Sequence, residues 1–339
     1  MGQPLAPWLQ RQLKELLLRR GHALLLQGPS GLGQYPLGLA LAQAWLCDQA
    51  SEQGACGHCG SCALVQARSH PDLSVLMPET TMLDLAWPLD EKTMDELDAK
   101  KRKPSREIRV DAVRATVEFA QRTAGRGRGT VVLVYPAERM NNVAANALLK
   151  TLEEPAGDTR FVLATEAAHQ LLPTIRSRCQ SHALVWPEHS EALQWLGTKT
   201  FDAPSLADAA SALALLRFAG GRPEDAVRLA SGAGDAKRWA LLPKAIAKGD
   251  ATALAGLAPP AAVDALQKLC HDLWATHCGA EPRFFKPADL PAAPSAQSLS
   301  KWATALQASA RVAEHPFKAE LMLEDLASQA RLCFKAALN

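Results

Sequence analysis

Eight residues between Gly28 and Tyr35 have the spacing of a loop that wraps nucleotide phosphates, and the two that should carry its chemistry do not fit it. The run Gly28-Pro29-Ser30-Gly31-Leu32-Gly33-Gln34-Tyr35 follows the apolar residues 23–26. Its glycines match the G-x-x-x-x-G-K-[ST] pattern, in which backbone N–H groups cradle phosphates, a lysine reaches the β- and γ-phosphates and a hydroxyl holds Mg²⁺. Gln34 stands at the lysine position, and an amide brings no positive charge to a polyphosphate. Tyr35 stands at the hydroxyl position with a far bulkier phenol. The expectation is a loop that keeps its shape and has lost nucleotide binding and turnover.

Cys47, Cys56, Cys59 and Cys62 are spaced C-x8-C-x2-C-x2-C, with Gly54, Gly57 and Gly60 between them. Short C-x2-C steps let thiolates converge on one ion, and four of them close a tetrahedral Zn²⁺ site with no open position. Such a metal is structural, ordering a loop with too few apolar residues to pack alone. His58 is the one alternative ligand in the segment. Cys179, Cys270, Cys278 and Cys333 are scattered and are expected as buried apolar residues.

A working P-loop ATPase also needs an Asp-Glu pair at the end of a later strand. The strand expected at residues 131–134 continues as Tyr135-Pro136-Ala137-Glu138-Arg139-Met140. If Met140 marks the register, Pro136 and Ala137 fill the acidic positions, and only a one-residue slip would make Glu138 a surviving acid. Ser177-Arg178-Cys179 keeps an arginine that can reach a neighbouring subunit's γ-phosphate. On spacing alone, Arg178 reads as a surface or salt-bridged side chain, the usual fate of a lone arginine, with the finger as the alternative.

The 339 residues suffice for two or three domains, and a net charge of +2 does not demand a nucleic-acid partner. No apolar run approaches the ~20 residues of a membrane span. The start of the chain lacks a basic segment before an apolar core, so no signal peptide is expected. An amphipathic helix at 9–20 precedes the loop, and a helix at about 36–47 follows it. Further strands are expected at 73–77, 130–134 and 161–165, with a last short one at 184–185. Helices are expected at 108–122 and 143–154, the second capped by Asn141 or Asn142. Residues 84–106 are charged and contain Lys100-Lys101-Arg102-Lys103, which suggests an irregular exposed loop. That basic run and the Arg122/Arg126/Arg128 turn read as solvated faces, with DNA or partner contact as the alternative. Beyond about 187 the chain is helical, with a Pro/Ala-rich loop at 280–297.

Together, the degenerate loop, the cysteine cluster, His70-Pro71-Asp72, residues 145–155 (ANALLKTLEEP) and Ser177-Arg178-Cys179 resemble the clamp-loader AAA+ proteins of bacterial DNA polymerase III. The resemblance is strong over residues 5–185 and persists beyond as helical order. It implies an α/β AAA+ P-loop domain with a parallel sheet at 1–186, carrying a zinc-binding insertion at 47–62. It further implies a small helical lid domain at 187–232 and an all-α collar domain at 233–339. The family's subunits form a five-membered broken ring that loads a sliding clamp onto primer-template DNA. The implied partners are gamma/tau subunits, a delta subunit and, through the complex, the clamp and DNA. Arg178, flanked by Ser177 and Cys179, would be the arginine finger serving the adjacent gamma/tau ATP site. Gly28, Gly31, Gly33, Gln34 and Tyr35 would form the degenerate cofactor loop. Thr165 falls where the family senses γ-phosphate, and Glu224 where an active relative carries an ATP-contacting arginine. The implied role is a non-catalytic subunit of a DNA-directed DNA polymerase (a nucleotidyltransferase complex), cytoplasmic and placed at replication forks. An active ATPase of the gamma/tau type is the alternative, and the degraded loop separates the two.

Overall fold

The apolar runs of the first half become the centre of one parallel sheet. The computed structural model describes residues 4–200, 203–232, 236–315 and 318–335. Its strands are β1 (Ala23–Gln27), β2 (Leu73–Leu76), β3 (Thr130–Val134), β4 (Thr159–Thr165) and β5 (Gln180–Ala183). Their order is β2-β3-β4-β1-β5, and every pairing is parallel. Leu24, Leu25 and Leu26 of β1 and all of β3 are buried, as strands covered on both faces must be. The helices of this unit are α1 (Pro7–Leu17), α2 (Gln34–Leu46), α3 (Gly60–Gln66), α4 (Glu79–Asp84), α5 (Glu91–Asp98), α6 (Val110–Ala120), α7 (Asn142–Glu153) and the short α8 (Pro173–Arg176), of which α2 and α6 pack on the strands. Asn141 caps α7 by accepting the Ala144 N–H at 2.9 Å.

The structure departs from the sequence expectation at two segments. The last strand is Gln180–Ala183, not residues 184–185. It is an edge strand paired only with β1, so Gln180, Ser181 and Ala183 are exposed and the apolar signature is missing. Residues 84–106 are not irregular either, because they contain α5 and are tied down by a charge network. Arg102 donates to Glu79 and, at 2.8 Å, to Glu96, and the Ser105 N–H donates to Glu79 at 2.8 Å. Burial raises the Glu79 carboxyl pKa, but these donors and Arg109 outweigh it and hold the group below its ordinary value. One arginine of the basic run is thus an internal fastener. A charge count cannot reveal that.

The chain divides into two compact units, residues 1–186 and 187–339. The second contains helices and no strand among its described residues, and one apolar cluster runs from Ala192 to Cys333. Its helix Pro259–His277 carries Asp272, a fully buried carboxylate that accepts the N–H groups of Arg283, Phe284 and Phe285 at 2.7–2.9 Å. Those bonds anchor the start of the Pro/Ala-rich segment. The start of the implied collar, residue 233, lies outside the described residues. No helix among the described residues is long and apolar enough to cross a membrane.

Candidate functional site

The loop of residues 28–35 leaves the sheet at the C-terminal end of β1, between the ends of β4 and β5. Gln27 is level with both Thr165 and Ala183. This is where open parallel sheets bind ligands. The loop's shape is kept by glycine: Gly31 and Gly33 have φ of +75° and +101°. A Cβ on Gly33 would also lie 2.4 Å from a Leu9 methyl. The chemistry is replaced. Gln34 is buried, and its Nε2 donates back to the Gly28 and Pro29 carbonyls at 2.6 and 2.7 Å. A neutral amide therefore ties the loop to itself where a lysine would meet phosphate. The Tyr35 hydroxyl accepts the Trp87 indole N–H at 2.7 Å, and its ring lies 5.4 Å from that of Tyr135. Burial raises the Tyr35 pKa, so the phenol stays neutral.

The residues at the end of β3 are engaged with their neighbours. Ala137 is buried, and Tyr135 donates its hydroxyl to Glu166 at 2.9 Å. The Glu138 carboxylate accepts the Thr165 hydroxyl at 2.7 Å and the Glu166 N–H at 3.1 Å. Thr165 and Glu138 thus fasten the ends of β3 and β4 to each other. Sequence reasoning missed Trp87, Tyr135 and Glu166, which carry no spacing signal. Only the bulk of Tyr35 hints at the aromatic neighbours it requires.

Arg178 lies in the turn between α8 and β5. Gln180 is level with Leu24, four residues before the loop begins. At ~3.3 Å per strand residue, this puts the turn more than about 13 Å along the sheet from Gly28. The arginine and the chain's own loop therefore sit at opposite ends of the strands. The guanidinium donates through Nε and Nη2 to Glu153 at 3.2 and 3.0 Å and through Nη1 to the Thr174 carbonyl at 3.0 Å. Its neighbours in the motif have structural parts. Cys179 packs against the core, and burial pushes its thiol up to about 12. Ser177 donates its hydroxyl to the Thr174 carbonyl. In the second unit, Arg222 pairs with Asp225 at 3.0 Å, and Glu224 lies in the first turn of the helix Pro223–Ser231.

The cysteine cluster converges. The four Sγ atoms lie within 4.8 Å of one another, with Cys47–Cys59 at 3.8 Å and Cys56–Cys62 at 3.9 Å. A tetrahedral ion with ~2.3 Å bonds to sulfur requires S···S edges of about 3.8 Å, so the set can hold a metal ion. Cys47 follows α2 and Cys62 lies on α3, so two helices fix two of the ligands. Backbone N–H groups of Gln49 and Cys56 donate to the Cys47 sulfur, that of Cys59 to Cys56, and that of Cys62 to Cys59. Such bonds favour thiolate. The His58 and Cys59 N–H groups help lower Cys56 to about 7, while burial raises Cys62. His58 is exposed and its ring meets the Cys56 carbonyl, away from the sulfurs. Cys270 and Cys333 are buried as expected, but Cys278 is exposed at a helix end, which corrects that expectation.

The His70-Pro71-Asp72 segment explains the arginine-rich turn. The buried Asp72 carboxylate accepts the Gly125 and Arg126 N–H groups at 2.6 and 2.9 Å. Arg126 then donates to the Ser61 hydroxyl at 2.8 Å and pairs with Asp48 at 3.3 Å. Arg126 is therefore docked on the cysteine loop. It is not simply a solvated side chain.

A family model described as "DNA polymerase III, delta subunit" matches residues 5–186, ending where the first compact unit ends. The DNA polymerase III subunit delta' of Pseudomonas aeruginosa is 41% identical over 226 residues, covering 66% of this chain and 60% of that protein. The subunit delta' of Escherichia coli is 37% identical over 232 residues, covering 67% and 61%. The chain thus spans about three fifths of the length of these relatives. Among solved structures, a DNA polymerase III gamma subunit-related protein from Thermotoga maritima aligns over 95% of this chain and 98% of its own, at 16% identity and a TM-score of 0.47. With more than half of its length matched by the family model, the chain belongs to the DNA polymerase III delta-subunit family, among relatives named delta'.

Proposed function

We propose that this chain is the non-hydrolysing delta-prime subunit of a bacterial clamp loader, a stator that completes a neighbour's ATP site. One contrast carries the reading: the loop's two chemical positions are taken up by Gln34 and by the Tyr35–Trp87 pair, while Arg178 is kept, partly exposed, at the other end of the sheet. An arginine so placed is far from its own loop and free to face an adjoining subunit's γ-phosphate. The partners are gamma/tau subunits, a delta subunit and, through the complex, the sliding clamp and primer-template DNA. Residues 187–232 serve as a lid and 233–339 as the collar that joins the ring. The ion held by Cys47, Cys56, Cys59 and Cys62 is structural zinc, since four thiolates leave no position for substrate. The work site is the cytoplasm, at replication forks.

Reconstitution tests this. Gamma/tau and delta subunits with the chain added should load clamps onto primed DNA, and omitting the chain should reduce loading at least tenfold. Equal loading without it would overturn the proposal.

A further inference from the structure

We propose that Glu153 positions the Arg178 guanidinium, holding it by one edge so that the opposite fork stays open to a neighbour's phosphoryl oxygens. The inference rests on the reading of Arg178 as a finger and assigns a second residue to that site. A guanidinium has five N–H groups in a rigid plane. Here three are engaged: Nε–H and the adjacent Nη2–H on Glu153, and one Nη1–H on the Thr174 carbonyl. With the Thr174 carbonyl taking the Nη1–H on the Cδ side, the two left over among the described residues, one on each terminal nitrogen, form a parallel pair on the far edge. That pair is the fork that meets two oxygens of a phosphate in parallel.

Both holding points stand on rigid supports. Glu153 is the last residue of α7, directly after the buried Leu152. Thr174 precedes the buried Ile175 in α8, and Cys179 sits against the same core. The pair itself is only part-buried, with Glu153 57% exposed, so it adds little to stability. What it supplies is direction. A long arginine otherwise samples many rotamers, and a misplacement of about 1 Å can cost ~10²-fold in rate.

Nε and Nη2 both donate to one oxygen, Oε2 of Glu153. The carbonyl oxygen of a glutamine can accept the same two bonds, whereas alanine accepts none. The test is steady-state, DNA-stimulated ATP hydrolysis by the reconstituted complex carrying wild type, Glu153→Ala, Glu153→Gln or Arg178→Ala. Glu153→Ala should lower kcat at the completed site by about 10-fold or more with KM within about 2-fold, the pattern of a lost transition-state contact. Glu153→Gln should restore kcat to within about 3-fold of wild type. Wild-type or higher kcat in Glu153→Ala, beside a loss in Arg178→Ala, would overturn the positioning role and leave the finger standing. No loss in Arg178→Ala would overturn the finger and the positioning role together.

Discussion

In a clamp-loader complex carrying Arg178→Ala, ATP turnover at the site this arginine is proposed to complete should fall by roughly 10³-fold, while the complex assembles as before. An arginine that neutralises transition-state charge on a transferring phosphoryl group is worth about 10³–10⁵ in rate. Nothing in the Gln34–Tyr35 loop can compensate, because that loop lies at the other end of the sheet. Assembly should survive, since the side chain's contacts are a part-exposed pair with Glu153 and one carbonyl. Exposed pairs are worth only about 0–1 kcal/mol. Size-exclusion chromatography checks assembly and single-site hydrolysis checks turnover. Unchanged DNA-stimulated turnover in the mutant complex would remove the finger from the account.

The second large effect is expected at the cysteine cluster. Cys59→Ser should take zinc content toward zero and unfold residues 47–62 locally. In small domains a structural zinc site supplies about 10–16 kcal/mol of apparent binding free energy that is also folding free energy. Here the apolar cluster around β1, β3 and β4 contains none of the four ligands, so the loss should stay local. It should nevertheless spread to the 124–128 turn, because Arg126 is docked on Asp48 and Ser61 between the ligands. Metal analysis with hydrogen exchange reads both effects. The amides at positions 59, 62 and 126 should lose protection while those of β1 and β3 keep it. A full complement of zinc in Cys59→Ser would mean a different ligand set.

Much of this was legible in the sequence because the informative residues act locally. Buried parallel strands announce themselves as apolar runs, so β1, β3 and β4 were placed within two residues. The C-x2-C steps likewise fix convergence through the chain itself. What stayed hidden depends on partners distant in sequence. Trp87 meets Tyr35 across 52 residues, Arg102 meets Glu79 across 23, and Arg178 meets Glu153 across 25. No period or composition encodes such pairings. The edge strand β5 escapes the pattern for a related reason: a strand with one free side needs no apolar run, and its identity comes from pairing with β1.

The central claim is that the loop keeps its glycine-built shape without its phosphate chemistry. Titration of the isolated chain with ATP and Mg²⁺ tests it most directly. No saturable binding is expected up to about 1 mM, the range in which association is worth only ~4 kcal/mol. Saturable, Mg²⁺-dependent binding in the micromolar range would contradict it and would make the chain an ATP-binding motor subunit in its own right.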